Sequence, residues 1–234
     1  MFIMKKILLI VSLIAICSLN GNSQERSFNF GLKMGPNLAW ANSPSAEAGK
    51  NLSSRIGFSA GLFVDSYFTK NFAFSTGLNF NILGMNYQFT DRRHLPNFVE
   101  ATNISVDRTF SGTYLELPLK FKMKFEVADA LSVFADAGVG IGLNLSDKAK
   151  DVYSFYGINY SDPEFVNVTN EYRRLQVAMK FDLGAAYQIS NYFSVFAQLA
   201  FHHSFSNMFT YEMKKETGVN LKSNFIGLEL GIMY

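Results

Sequence analysis

The sequence predicts an all-β fold, namely a closed, antiparallel, eight-stranded, up-and-down transmembrane β-barrel. Three observations favour this fold. Apolar and polar residues alternate along most of the chain. Short turns alternate with long polar connections, and aromatic residues gather at the ends of the alternating segments. Transmembrane barrels combine these features, with short turns on the periplasmic side and long loops outside.

The segment YLELPLKFKMKF (residues 114–125) shows the alternation most clearly. Its odd positions are apolar from Leu115 to Phe125, whereas its even positions include Glu116 and three lysines. Strict alternation indicates a β-strand with two unlike faces. A soluble lipocalin-like barrel would turn the apolar row inward. A transmembrane barrel would place that row against lipid and the lysines in the lumen, and this is the arrangement that we predict.

Eight segments carry the alternation, which predicts eight strands. They are residues 27–37, 55–67, 72–86, 112–125, 131–146, 173–188, 193–204 and 223–234. The tight turns are FTKN (68–71), EVADA (126–130) and ISN (189–191). The long polar connections lie near 38–54, 87–111, 147–172 and 205–222. No linker interrupts this order, so we expect one barrel domain.

The polar row contains charges of both signs together with many glycines. The lumen of a small barrel needs small residues to close, and it pairs opposite charges at its centre. We therefore expect a lumen charge network that plugs the barrel, in which Glu116 pairs with Lys120, Lys180 or Arg174. Its members are Lys33, Asp65, Glu116, Lys120, Lys122, Lys124, Asp136, Arg174, Lys180, Asp182 and Glu229.

The first residues predict export. Lys5 and Lys6 precede an apolar run and then small or polar residues, which is typical of a secretory signal peptide. We expect cleavage after Ser23, which leaves residues 24–234 as the outer-membrane barrel domain after a signal peptide of residues 1–23. This domain contains no cysteine, and loss of the two lysines takes the formal charge from +2 to about zero. We expect neither disulfides nor a nucleic-acid partner.

The last segment, NFIGLELGIMY, alternates and ends on the aromatic residue Tyr234. Such an ending looks like the signal by which outer-membrane barrels are passed to the assembly machinery. Together with the predicted signal peptide, it favours the bacterial outer membrane over a soluble barrel. We therefore expect outer-membrane lipid and the assembly machinery as partners.

Four blocks carry a resemblance to a known family. FGLKMGPNLAW, YLELPLKFKMKF, VFADAGVGIGLNL and IGLELGIMY resemble the Bacteroidetes-type outer-membrane β-barrel family, whose members are often labelled PorT-like or porin family. The resemblance implies an integral outer-membrane barrel, mostly of unassigned function. One branch of the family serves a system that secretes proteins. Pro118, which removes a ladder donor from its strand, is part of the family pattern.

Two motifs could indicate an enzyme. GFSAG (57–61) matches a nucleophile elbow, but that chemistry needs a strand-to-helix turn and Ser59 lies within an alternating segment. His202 and Ser204, with Glu216 further on, resemble the outer-membrane lipid A deacylases. Parity points His202 and Ser204 into the lumen, whereas a lipid-cleaving site must face the membrane. We therefore expect no catalytic site. We also expect no metal site and no cofactor, because adjacent histidines on a strand point to opposite faces and the sequence places no third ligand.

The expected function is a non-enzymatic structural or interaction role, or a porin-like one. In the first case four outer loops contact other envelope proteins; in the second the lumen is a narrow channel gated by its charges. The alternatives are an accessory barrel of a protein secretion system and a lipid A deacylase-like enzyme. Eight strands leave an interior just large enough for side chains, so free diffusion of solutes is not expected.

Overall fold

The computed structural model describes residues 28–43, 53–91, 104–155, 158–162, 164–190 and 192–234. The predicted signal peptide, residues 1–23, and the beginning of the predicted barrel domain lie outside the described residues. Among the described residues, no helix is both long enough and apolar enough to cross a membrane.

Eight long strands form the barrel. They are β1 (Phe28–Asn42), β2 (Ser53–Tyr67), β3 (Phe72–Asp91), β4 (Ile104–Ala128), β5 (Leu131–Phe155), β8 (Leu175–Ser190), β9 (Phe193–Ser204) and β10 (Lys222–Met233). Between β5 and β8 lie the short strands β6 (Ile158–Ser161) and β7 (Val166–Asn167) and a 3-10 helix (Thr169–Glu171). Helix α1 (Tyr211–Thr217) lies between β9 and β10.

All neighbouring strands are antiparallel, and the sheet closes on itself. Each long strand pairs with the next in the chain, β5 pairs with β8, and β10 returns to pair with β1. At this seam Tyr234 N donates to Phe30 O (2.7 Å) and Phe30 N donates to Tyr234 O (2.8 Å). The predicted closed, eight-stranded, up-and-down barrel is confirmed.

The two faces of the sheet have the chemistry of a membrane barrel. On β4, Leu117 and Phe121 are exposed on the outside, whereas Glu116, Lys120 and Lys122 are buried inside. The same division holds around the barrel, so the exterior is apolar and the interior is charged. A soluble barrel would have the reverse arrangement.

Aromatic residues surround the end of the barrel that carries the short turns. Phe68, Tyr187, Tyr192 and Tyr234 are exposed there, and the rings of Tyr192 and Tyr234 stack at 6.3 Å between centroids. Aromatic girdles of this kind lie at the membrane interface of transmembrane barrels. Because short turns lie on the periplasmic side of such barrels, this end is assigned as the periplasmic end.

Three strands are much longer than a membrane crossing requires. A crossing takes about 9–11 residues, but β3 has 20 residues and β4 and β5 have 25 each. Their outer ends form a sheet that we call the raised wall: residues 84–91, 104–113 and 146–155. The raised wall stands beyond the lipid-facing apolar residues, which on β5 end at Leu145.

The raised wall corrects the predicted bounds of two loops. The connections expected at 87–111 and 147–172 consist in part of β3, β4 and β5. The lipid-facing pattern ends where the outer face of the sheet meets water, as at Ser105 and Thr109, although the strands continue. The apolar–polar alternation in the sequence therefore ends before the hydrogen-bonded strands do.

A β-bulge at Leu145 explains why the alternation of β5 fails at the same level. Tyr114 pairs with Asn144 and Thr113 pairs with Ser146, so Leu145 is an extra residue. One extra residue exchanges the two faces of a strand. Even-numbered residues of β5 point inward as far as Asn144, and beyond the bulge the buried residues are Asp147, Ala149 and Asp151.

Two connections fold over the outer mouth of the barrel. We call residues 164–174 and 205–221 together the outer cap. Within it, Thr210 caps the start of α1 and Gly218 ends the helix with a φ of 71°. The cap and the raised wall bury one apolar cluster between them. Its members from the raised wall and the outer cap include Tyr87, Phe89, Ile104, Phe110, Tyr172, Met208, Phe209, Met213 and Leu221.

Cysteine labelling tests the orientation of the two faces in lipid vesicles. We expect Leu117→Cys to react only with a membrane-soluble maleimide, because its side chain faces lipid. Ser75→Cys is a near-isosteric inward control, since Ser75 is buried opposite Lys120. It should react with neither a lipid-soluble nor a bulky aqueous reagent until the barrel is unfolded. Reaction of Leu117→Cys with the aqueous reagent in folded protein would show that the barrel is inverted.

Candidate functional site

The lumen begins, at the periplasmic end, with a lower aromatic layer formed by Phe63, Phe134 and Phe196. Phe196 meets Phe63 at 5.5 Å and Phe134 at 5.9 Å between ring centroids, both edge to face. The Lys122 ammonium lies 4.6 Å from the Phe134 centroid and 5.2 Å from that of Phe63. This cation–π geometry joins the aromatic layer to the charges above it.

Above this layer lies the charged layer, in which four buried lysines each contact a carboxylate. The pairs are Lys33–Glu229 (2.8 Å), Lys122–Asp65 (2.6 Å), Lys180–Glu116 (2.7 Å), Lys120–Asp136 (2.7 Å) and Lys120–Asp182 (2.6 Å). Gln198 Nε2 donates to Glu229 (2.7 Å) and approaches Asp182 at 3.4 Å, so neighbouring pairs are linked. Three of these five ion pairs join strands that are not neighbours in the sheet, namely Lys122–Asp65, Lys180–Glu116 and Lys120–Asp182.

Glu116 has the most partners in the upper part of the charged layer. Lys180 Nζ and Asn79 Nδ2 donate to its Oε1 at 2.7 and 3.2 Å. His202 Nδ1 lies 3.2 Å from Oε2. A Cβ at Gly140 would lie 2.8 Å from the Glu116 carboxyl carbon. The glycine on β5 therefore provides the space that the carboxylate occupies.

Nine of the eleven residues predicted for the lumen charge network lie in the charged layer. Lys124 lines the lumen near the periplasmic mouth but is only half buried, and within the described residues it makes no ion pair. The prediction for Arg174 is wrong. This side chain is exposed, because β8 begins one residue later, at Leu175, and the inward parity does not extend beyond the strand. Glu116 pairs with Lys180, one of its three expected partners.

The residues of the enzyme motifs have other partners. His202 is buried and stacks on Phe225 at 4.7 Å between centroids. Ser204 Oγ donates to the carbonyl of Ser206 (3.1 Å), and Ser59 Oγ accepts from Asn37 within the sheet. In the described part of the chain, no group of three or more His, Cys, Asp or Glu side chains is placed to hold a metal ion.

Sequence reasoning missed a second ionic site, which joins the raised wall to the outer cap. Arg108 Nε and Nη2 donate to the two oxygens of Asp151 at 2.8 and 2.6 Å. Its Nη1 donates to Glu171 and, at 3.2 Å, to the Tyr172 hydroxyl. The alternation of residues 104–110 places Arg108 in an otherwise apolar row, and this was the signal that could have revealed the site.

Asp147 lies beneath this site, just beyond the bulge. Its N–H donates to Thr169 Oγ1 (3.0 Å), and its carbonyl accepts from Val168 N (3.0 Å), so its backbone holds the outer cap. Its carboxyl group is fully buried and accepts from the Asn144 amide. Burial raises the pKa of Asp147 to about 7, and the Asn144 hydrogen bond opposes this rise.

The apolar exterior, the closed sheet and the charged interior define an integral membrane β-barrel. A model of the family described as "Outer membrane protein beta-barrel domain" matches residues 21–210. The chain belongs to this family, and it is located in the bacterial outer membrane. No curated protein matches the chain.

Several solved structures resemble this barrel at low sequence identity. Neisserial surface protein A is 12% identical, with 87% of this chain and 95% of that chain covered and a TM-score of 0.41. OprG of Pseudomonas aeruginosa is 9% identical, with 89% and 97% covered and a TM-score of 0.39. Ail, the attachment invasion locus protein of Yersinia pestis, is 14% identical, with 88% and 98% covered and a TM-score of 0.34.

We expect Glu116→Ala to destabilise the barrel. Removal of one partner from a buried ion pair costs roughly 3–5 kcal/mol, and here it leaves Lys180 without its carboxylate. Unfolding can be followed by the change in gel migration when the folded barrel is heated in detergent. The matched control is Glu126→Ala, because Glu126 is exposed near the β4–β5 turn. Equal heat resistance of both variants and the parent would contradict an enclosed charged layer.

We expect the outer cap to loosen as the pH rises, and Asp147→Asn to abolish this dependence. The folded carboxyl group holds its proton up to about pH 7, whereas the ordinary pKa of an aspartate in water is 3.8. Stability is therefore lost as the pH rises from about 4 to about 7, by roughly 4 kcal/mol in full. Hydrogen exchange of residues 164–174, corrected for intrinsic rates, measures the loosening. The half-buried Asp107→Asn is the control, and an unchanged pH dependence in Asp147→Asn would refute the assignment.

Proposed function

We propose that the chain is a non-enzymatic outer-membrane barrel with a closed lumen, which anchors a folded extracellular surface in the membrane. One observation carries the proposal: the lumen is filled at three successive levels. The lower aromatic layer, the charged layer and the outer cap follow one another from the periplasmic end to the outer mouth. Small cavities of about 10 Å³ remain between these side chains, and each has room for roughly one water molecule.

The surface that the barrel presents consists of the raised wall, the short strand β6 paired beside it, and the outer cap. Tyr160, Phe165 and Tyr211 are exposed on it, among polar side chains. Aromatic residues in polar surroundings are common in protein interfaces. We propose that other envelope proteins bind here, that the apolar exterior contacts outer-membrane lipid, and that β10 is the strand recognised during assembly.

A PorT-like accessory role in protein secretion is the second candidate. The block YLELPLK, which carries the resemblance to that family, contributes Glu116 and Lys120 to the charged layer. Affinity purification from native membranes in mild detergent separates the candidates. The accessory role would be favoured if secretion components bind the parent but do not bind a variant in which Tyr160 and Tyr211 are both substituted.

Planar-bilayer recording tests closure. We expect the parent to conduct no more than protein-free lipid, because side chains of the described residues fill the lumen at all three levels and leave cavities of only about 10 Å³ between them. Glu116→Ala should conduct more than Glu126→Ala, since it opens the upper part of the charged layer. Regular conductance steps in the parent would favour the gated channel instead.

Mass spectrometry of lipid A tests the enzyme alternative in cells that express the chain. We expect the same spectrum with the parent, with His202→Gln and with the empty vector. Loss of an acyl chain in the parent that His202→Gln abolishes would establish a deacylase and refute the non-enzymatic proposal.

A further inference from the structure

The charges enclosed in the lumen do not balance. Among the described residues, carboxylates outnumber lysines by one in the part of the charged layer that is more than nine-tenths buried. The lysines are Lys33, Lys120, Lys122 and Lys180, and the carboxylates are Asp65, Glu116, Asp136, Asp182 and Glu229. An uncompensated charge in such an enclosed, weakly polar space is strongly unfavourable. The layer therefore requires one more positive charge.

The excess negative charge lies at Asp136 and Asp182. These residues are directly opposite each other in the β5–β8 register. Their Oδ2 atoms contact the same ammonium group, that of Lys120, at 2.7 and 2.6 Å. The Oδ1 atom of each is buried and has no hydrogen-bond partner. Like charges in directly opposite positions destabilise a sheet, and two carboxylates that share a site do not both ionise readily.

The remaining carboxylates are matched one to one. Asp65 contacts Lys122, Glu116 contacts Lys180, and Glu229 contacts Lys33. Each of these acids has a lysine of its own, whereas Asp136 and Asp182 divide one lysine between them. Lys122 is the next cation to Asp136, but it lies 3.8 Å from Asp136 and 2.6 Å from Asp65.

His202 is the other group that could carry the missing charge. Its Nδ1 lies 3.2 Å from Glu116 Oε2, but Lys180 and Asn79 already donate to Glu116. A protonated His202 would give Glu116 a second cation and would leave the two aspartates uncompensated. Geometry therefore favours the aspartate pair.

We infer that the lumen binds one proton, which Asp136 and Asp182 share with Lys120 between them. The proton is taken from water and bound at one of the two free Oδ1 atoms, and it returns to water when the pair ionises fully. The groups that face the pair are Lys120 and Lys122 of β4, Gln198 of β9, and the charges of Lys33, Lys180, Glu229 and Asp65 around them. Loss of the proton leaves Lys120 as the only ammonium in close contact with two ionised carboxylates, which weakens the charged layer. This inference stands whether or not the barrel conducts.

Substitutions with opposite expected signs test the inference. Asp136→Asn and Asp182→Asn each remove the excess charge and keep the side-chain shape, so both variants should resist heat at least as well as the parent at neutral pH. Glu116→Gln and Glu229→Gln are matched controls, because among the described residues each removes the one carboxylate that contacts its lysine, Lys180 or Lys33. Both should unfold at lower temperature. If Asp136→Asn and Asp182→Asn were as heat-sensitive as the controls, the inference of a shared proton would be refuted.

Infrared spectroscopy with isotopically labelled aspartate detects the proton directly and does not depend on the stability of any variant. An Asp147→Asn background removes the aspartate outside the lumen charged layer whose pKa is raised to about 7. We expect the carbonyl band of a protonated carboxyl group at neutral pH in this background. The band should vanish in Asp136→Asn and in Asp182→Asn, and it should remain in His202→Gln. Absence of the band in the background protein, or its persistence in both aspartate variants, would refute the site.

Discussion

The width of the lumen is the constraint on which the rest of the structure depends. Eight strands enclose a space that side chains alone fill, so a lysine inside has no room for a shell of water and must contact a carboxylate. Because several of these contacts join strands that are not neighbours in the sheet, neutralisation also braces the barrel: Lys122 of β4 reaches β2, and Lys180 of β8 reaches β4. Glycines on β5 are required by the same lack of space. A Cβ at Gly138 would lie 2.1 Å from a backbone oxygen, and one at Gly140 would meet Glu116.

Beyond the membrane, at the outer end of the barrel, the same sheet has its polar and apolar faces reversed. Water reaches its outer face there, so polar side chains turn outward, and apolar side chains of the raised wall turn inward against the outer cap. The bulge at Leu145 allows β5 to follow both arrangements, because it exchanges the inward and outward residues at the level where the surroundings change. One continuous strand thus contributes Asp136 to the charged layer below and Ala149 to an apolar core above.

The sequence alone predicted the barrel, its eight strands and nine inward charges, because period-two alternation depends only on local geometry. It failed where that period changed. Arg174 was assigned by extending the parity past the start of β8, and Asp147 and Asp151 lay beyond a bulge that alternation cannot anticipate. The choice of Lys180 as the partner of Glu116 was equally out of reach, because the relative heights of β4 and β8 depend on the register of distant strands.

The two ionic sites use different cations, and the difference follows from the space around them. Lysine carries a compact charge on a flexible stem, so Lys120 lies between carboxylates of two strands without a fixed orientation. Arginine is a planar fork, and Arg108 uses it to hold Asp151 with two parallel bonds while a third group reaches Glu171 in the cap. A guanidinium in the charged layer would need room that the side chains there already fill. The lysines of the lumen therefore allow contacts to be exchanged between neighbouring carboxylates, whereas the arginine holds the outer cap in one geometry.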